Sequence, residues 1–194
     1  MKSFRDIFVR IGRDLSFTIH AISADLNKYL ELDPSVSKKW MVLFSSLGFY
    51  ALLFYRISHL FWRWRIIPLS LIIYTWGKIV TSSDIHPAAE IEPGVVIDHG
   101  IGTVIGSTAS VGTGTLIYHG VTLGAKRPVK GKRHPDVGRG VLLGTGAKIL
   151  GPITIGDNAV VGANSVVLKD VPKGALVVGI PGRIVEEEEV KVCC

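Results

Sequence analysis

Cysteine is almost missing from the 194 residues: only Cys193 and Cys194 occur, side by side at the end of the sequence. Two adjacent terminal thiols cannot supply the internal crosslinks of a small secreted scaffold, so a disulfide framework is excluded and a reducing compartment is expected. No charged, apolar and small-residue succession of a signal peptide opens the sequence, because Arg5, Asp6, Arg10, Arg13 and Asp14 are scattered through its start. A cytoplasmic protein is the expectation. Uninterrupted apolar runs are short as well. Met41 to Tyr55 is uncharged, but Arg56, Arg63 and Arg65 break the run before the ~20 residues a membrane span needs.

Aromatic residues are nearly absent from the second part: 15 of the 16 lie before position 83, whereas 19 of the 22 glycines lie after it. Two architectures therefore share the chain: a helical region 1–82, a second unit 83–185, and an acidic tail 186–194 led by Glu186 to Glu189. In the first, Phe4, Ile7, Phe8 and Ile11, then Ile19, Ile22 and Leu26, are spaced as apolar stripes on short helices. Pro34 falls at or before the first turn of another helix, and Pro68 divides the apolar stretch Trp40 to Val80 into two. Those Trp- and Arg-rich helices fit either a buried hairpin or subunit contact, which we favour because apolar residues surround them, or a pair lying on anionic lipid. The net charge of +6 sits entirely in residues 1–83, which hold 11 basic and 5 acidic residues. With no helix-turn-helix, finger or RNA-binding signature beside it, this excess does not read as a nucleic-acid surface.

From Ile85 onward an aliphatic residue returns every sixth position: Ile85, Ile91, Ile97, then Ile105, Val111, Ile117, Leu123, then Val137, Leu143, Ile149, Ile155, Val161 and Val167. Ordinary antiparallel strands do not hold such a phase; the period is that of a parallel β-helix, in which each six residues make one short strand and one turn and each coil covers its neighbour. The phase breaks twice, once around His99 and once over Ala125 to Asp136, so a turn and a loop must leave the prism. Irregular segments on a rigid scaffold are where reactive groups are displayed.

His99 follows Asp98, and Asp84 precedes Ile85 one phase earlier, so an Asp and a His could meet across stacked or adjacent faces. A carboxylate on one ring nitrogen makes the other the better base for a hydroxyl. Taken alone, the pair fits a polar corner turn better than a catalytic one, because Asp and His are common in such turns. The loop carries Lys126, Arg127, Lys130, Lys132 and Arg133, which suits either a solvated basic loop or a grip on an anion, with Arg133 able to hold a carboxylate bidentately. His86, His99, His119 and His134 lack the spacing of a metal site, and no metal is assigned.

Asp84-Ile85-His86-Pro87, Ile97-Asp98-His99-Gly100, Val121-Thr122-Leu123-Gly124, Lys132-Arg133-His134-Pro135 and Gly179-Ile180-Pro181-Gly182-Arg183 together resemble the serine O-acetyltransferases, and the likeness runs from about Asp33 to Val185. The resemblance implies a mainly β protein, a left-handed parallel β-helix of hexapeptide repeats behind an α-helical N-terminal region. It implies acetyl transfer from acetyl-CoA to the hydroxyl of L-serine, on the way to cysteine, with no metal. His99 would be the general base and Asp84 its orienting partner. Asp33, Asp98, Arg133 and His134 would surround serine, the carboxylates meeting its ammonium and the two bases its carboxylate. Gly124, Thr145 and Ala163 would line the path of coenzyme A.

The chain departs from the family at Gly124-Ala125-Lys126-Arg127, where members have a Gly-Gly-Thr-Gly run. The short helical lead-in points to a homotrimer rather than the hexamer of longer members. Members that bind O-acetylserine sulfhydrylase end in Ile, whereas this sequence ends Val192-Cys193-Cys194, so that complex is not expected. Two rivals stand beside this reading: a sugar or polysaccharide O-acetyltransferase using the same base, and a catalytically silent β-helix serving as a binding module.

Overall fold

In a computed structural model that describes residues 4–185, apart from the side chains of 4, 5, 7 and 8, four helices precede a left-handed parallel β-helix. The acidic tail, the terminal cysteines and the side chains of Phe4, Ile7 and Phe8 lie outside the described residues. The helices are α1 (Phe4–Leu32), α2 (Lys39–Ser45), α3 (Leu47–Arg63) and α4 (Ile67–Thr81). Among the described residues no single helix is long and apolar enough to cross a membrane, and α2 and α3 meet at 88°.

The prism has three faces. Face A stacks Asp84–Ile85, Val104–Ile105, Thr122–Gly124, Lys148–Leu150 and Val166–Val167 in that order. Face B stacks Glu90–Ile91, Ser110–Val111, Asp136–Val137 and Thr154–Ile155, and face C runs from Val96–Ile97 to Leu176–Val178, closed by the antiparallel Arg183–Val185. Partners in the ladder keep the hexapeptide phase: Ile85 pairs with Ile105, Ile105 with Leu123, Leu123 with Ile149 and Ile149 with Val167. All thirteen phased aliphatic side chains are buried, at 5% exposure or less. Two-residue strands alternate one inward and one outward side chain, so the first residue of each strand is free to carry polar chemistry on the outside.

The helical region differs from its sequence pattern in one respect. Residues 4–32 form one 29-residue helix rather than short ones, and its buried stripe is Asp14, Thr18, Ala21, Asp25 and Tyr29, while Ile11 and Ile19 face outward. The stripe is polar because it meets backbone N–H and carbonyl groups of the coil and the Arg56 and Arg63 guanidinium groups, while Ile22, Leu26 and Leu30 beside it pack against the hydrophobic core. Tyr29 donates its hydroxyl to the Ile97 carbonyl (2.8 Å) and receives the Ile97 N–H (3.2 Å). Helix α3 presses against the same turn through Gly48, where an added Cβ would come within 1.8 Å of the Ile97 oxygen, so only glycine lets the helix approach this closely. Helix α4 starts with a proline in its first turn and packs on α3 through Ser70, whose hydroxyl donates to the Ser58 carbonyl (2.7 Å), and Gly77, which lies against Phe54. Its outer side leaves Ile72, Trp76 and Ile79 exposed.

Candidate active site

The two breaks in the hexapeptide phase lie at two different corners of the prism, and face A runs between them. At the corner joining face C to face A, the chain leaves Ile97 and turns through His99 (φ 58°) and Gly100 (φ 82°). A non-glycine residue held left-handed is a strained position. Here it is enforced by a backbone bond from Gly100 N–H to the Asp98 carbonyl (2.7 Å) and by a side-chain bond from the Ser83 hydroxyl to the Gly100 carbonyl (2.8 Å). The turn leaves the His99 side chain 70% exposed, with its Nε2 3.7 Å from an Asp98 oxygen.

Asp33 reaches the same corner from the end of α1. Its Oδ1 accepts from the Ser35 N–H (2.9 Å) and the Ser35 hydroxyl (2.6 Å). Asp33, Ser35, Ser46, Leu47, Asp98 and His99 line one cleft of about 250 Å³. Directly above, one coil on, the ring of His119 stands edge-on to that of His99 at 5.6 Å. Thr145 and Ala163 continue the column, since Ile117 pairs with Leu143 and the Asn164 N–H donates to the Thr145 carbonyl (2.7 Å).

The second set occupies the corner joining face A to face B. Thr108 organises it: its hydroxyl receives the backbone N–H groups of Arg133 and His134, both at 3.1 Å, and its own N–H donates to His134 Nδ1 (3.2 Å). A backbone donor on Nδ1 leaves the neutral ring's proton on Nε2. Arg133 donates to the Ser107 hydroxyl (2.8 Å) and the Gly131 carbonyl (3.3 Å), which holds the guanidinium at the rim of the loop. His134 is buried, and burial, then the charges of Arg133, Lys132 and His86, pushes its pKa below the ordinary histidine value. His86 shares this corner and is lowered chiefly by burial, with Arg133 adding to it. Gly124 begins the loop on this side, away from Thr145 and Ala163.

Asp84 lies on face A with its carboxylate taken by Lys78 Nζ (2.8 Å) and the Tyr74 hydroxyl, both from α4. Within the chain no hydrogen bond joins it to His99 among the described residues. Asp33, Asp98 and His99 are thus brought together, Arg133 and His134 are brought together, and the two groups are apart. Sequence reasoning missed His119, Thr108 and the Tyr74–Lys78 clamp. The first was within reach, because His119 follows His99 by the same interval as Ile117 follows Ile97. Among the described residues no group of three His, Cys, Asp or Glu could hold a metal ion.

The arrangement offers an imidazole in a cleft with two carboxylates, and a guanidinium with a second imidazole on the far edge of the same face. A family model described as bacterial transferase hexapeptide (six repeats) matches residues 134–169. A serine acetyltransferase of Helicobacter pylori is 42% identical over 167 residues, covering 86% of this chain and 98% of that protein. The crystal structure of a Neisseria gonorrhoeae serine acetyltransferase in complex with serine superposes with a TM-score of 0.86 at 38% identity, over 93% of this chain and 74% of the other. A serine acetyltransferase in complex with coenzyme A from Brucella abortus gives 0.87 at 35% identity, over 94% of this chain and 73% of the other.

Proposed function

The chain belongs to the serine acetyltransferase family and moves acetyl from acetyl-CoA to the hydroxyl of serine, and from that premise we propose that His99 is the base and that two copies of the chain complete each site. The serine Oγ attacks the thioester carbonyl while His99 takes its proton. The tetrahedral intermediate then expels the thiolate, which recovers the proton and leaves as free coenzyme A, with O-acetyl-L-serine as the other product. Asp33 and Asp98 hold the serine ammonium, and Arg133 with the Nε2–H of His134 holds its carboxylate. Opposite charges at the two ends select an α-amino acid zwitterion over a neutral glycan.

One observation carries this reading: Asp33, Asp98 and His99 converge at one corner of the prism while Arg133 and His134 stand at the other corner of face A. Neither set alone binds both ends of serine. A cyclic homotrimer, in which each contact is head-to-tail, sets one corner of each prism against the other corner of the next. Asp84 then orients His99 across the same boundary once its clamp of Tyr74 and Lys78 yields. Coenzyme A runs up the column of small side chains at Thr145 and Ala163, with Gly124 approaching from the neighbouring copy.

Thiol release from acetyl-CoA tests the function, run with L-serine, with acceptor sugars and with no acceptor. Serine alone should accelerate it, and acceleration by a sugar and not by serine would transfer the assignment to glycans. Gly106 gives a finer check, because a Cβ there would lie 2.1 Å from His134 Cδ2. Gly106→Ala should therefore displace the ring and raise the serine KM about tenfold, equivalent to ~1.4 kcal/mol, with the acetyl-CoA KM little changed. An unaltered serine KM would remove His134 from the carboxylate site.

A further inference from the structure

The turn between α3 and α4 closes against the start of α1 and leaves a recess of about 510 Å³ lined by Arg10, Arg13, Trp62, Arg63 and Arg65. Its lining holds four guanidinium groups and an indole ring, and no carboxylate. None of these residues belongs to the His99 cleft or to the Arg133 corner. We propose that the recess is a binding site for a phosphate group, carried by a phosphate ester or diphosphate whose oxygens the arginines hold and whose organic part lies against Trp62.

Two of the four arginines have structural duties. Arg10 donates to the Arg63 carbonyl (3.0 Å) at the end of α3, where the helix dipole favours a cation, and Arg63 donates to the buried Asp14 carboxylate (3.1 Å). The other Asp14 oxygen lies 3.8 Å from Arg10 Nε, so one carboxylate steadies both side chains. Arg13 and Arg65 are exposed and have no ion-pair partner among the described residues. Arg10 and Arg13 are three residues apart on α1 and so share a face. Four positive charges against one negative leave a field that draws in a polyanion.

The backbone at Arg65 is the second, independent observation. Past the end of α3 the Arg65 N–H donates to the Trp62 carbonyl and the Ile66 N–H to the Phe61 carbonyl (both 3.0 Å), with Arg65 left-handed at φ 62°. This is the turn that ordinarily ends a helix on glycine, because a side chain strains a left-handed backbone. An arginine here gives up stability and sends a guanidinium into the recess, and strain kept at a surface turn is a signature of function. The same chemistry selects the ligand. A carboxylate spreads one charge over two oxygens, which one guanidinium satisfies, whereas a phosphate brings up to two charges and three oxygens and suits several forks at once. Trp62 supplies an apolar wall, and its edge-on contact with the His86 ring (5.4 Å) fixes its plane.

Inorganic pyrophosphate, titrated calorimetrically into the assembled protein, should bind saturably and more weakly as salt is raised. Arg65→Gly should weaken that binding about tenfold, the worth of one charge-assisted hydrogen bond, while the melting temperature holds or rises as the left-handed strain is relieved. Arg13→Gln should weaken it as much, and Lys173→Gln, which removes an exposed cation at the other end of the prism, should leave it unchanged. Succinate, with its two charges on carboxylates, should bind far more weakly than pyrophosphate. Serine turnover and the acetyl-CoA KM should stay at wild-type values in all three variants. Vesicles of phosphatidylcholine with and without phosphatidylglycerol identify the source of the phosphate: retention by the anionic ones alone, reversed by pyrophosphate, makes it a lipid headgroup, and no retention makes it a soluble compound. Four results would each overturn the site: no saturable pyrophosphate binding, undiminished binding in both arginine variants, succinate binding as tightly, or a raised acetyl-CoA KM in either arginine variant, which would give the recess to coenzyme A.

Discussion

Equal amounts of His99→Ala and Arg133→Ala chains, each close to inactive alone, regain about a quarter of wild-type activity when assembled together. The fraction follows from the head-to-tail contact. A working site needs the His99 corner from one copy and the Arg133 corner from the next, and random mixing of two chain types supplies that ordered pair at about one boundary in four. Alone, the His99 variant loses the base, a loss of roughly 10²–10⁴ in rate. The Arg133 variant leaves the serine carboxylate without its bidentate partner, which raises the serine KM well beyond a distant Lys→Ala control. Co-expression under two affinity tags, isolation of the mixed species and assay with serine read the result directly. A mixture of His99→Ala with Asp98→Ala is the control. Both changes lie at one corner, which a single copy supplies, so no mixture of the two makes a site with that corner intact. Activity recovered by that control as fully as by the first pair would defeat a site shared between copies, and so would no recovery in the first pair from a confirmed mixed assembly.

The scaffold was legible because burial and period coincide in it. An aliphatic residue at every sixth position has one place to go in a coil with three short faces, and each of Ile85 to Val167 in that phase lies inside. The breaks in phase were legible for the same reason, as residues that cannot fit the prism. What the period could not convey was the distance between the breaks. His99 and Arg133 leave at different corners, and the linear sequence carries no sign of which corner a loop leaves from. Nor could it convey α1, whose buried face is Asp14, Thr18, Asp25 and Tyr29. A rule that seeks apolar residues in the core finds Ile22 and Leu26, which pack partly buried against it, together with Ile11 and Ile19, which face outward, and passes over the polar residues. Asp84 shows the remaining gap. Its place beside Ile85 suggested a partner for His99, and the chain instead occupies it with Tyr74 and Lys78, two residues of a helix whose packing the hexapeptide pattern does not reach.

The buried face of α1 makes the second large effect fall on Asp25 and Arg56. The Asp25 carboxylate is 1% exposed and the Arg56 guanidinium 4%. Arg56 donates to both carboxylate oxygens (2.9 and 3.1 Å), and one of those oxygens also receives the Gly94 N–H (2.8 Å) and the Val95 N–H (3.2 Å). Arg56 continues to the Ile91 and Glu92 carbonyls (2.5 and 2.8 Å). One ion pair therefore ties α1, α3 and the first coil together, and it satisfies backbone groups that water cannot reach. Asp25→Ala leaves a buried guanidinium and two buried N–H groups without their acceptor and should cost about 3–5 kcal/mol, a large share of the ~5–15 kcal/mol that holds a domain folded. At ~2–4 °C per kcal/mol for a chain of this size, the melting temperature should fall by ~6–20 °C. Removing both charges in Asp25→Leu/Arg56→Met should cost less than the single change, because no ion is stranded. Activity should follow the clamp. Tyr29 stands on the same helix beyond Asp25 and Asp33 directly follows its last residue, so loosening α1 draws Asp33 from the His99 cleft and raises the serine KM at temperatures below the melt. A single variant that melts within ~1 kcal/mol of wild type would show that α1 is held to the coil by its other contacts, and the coupling from the clamp to the serine pocket would go with it.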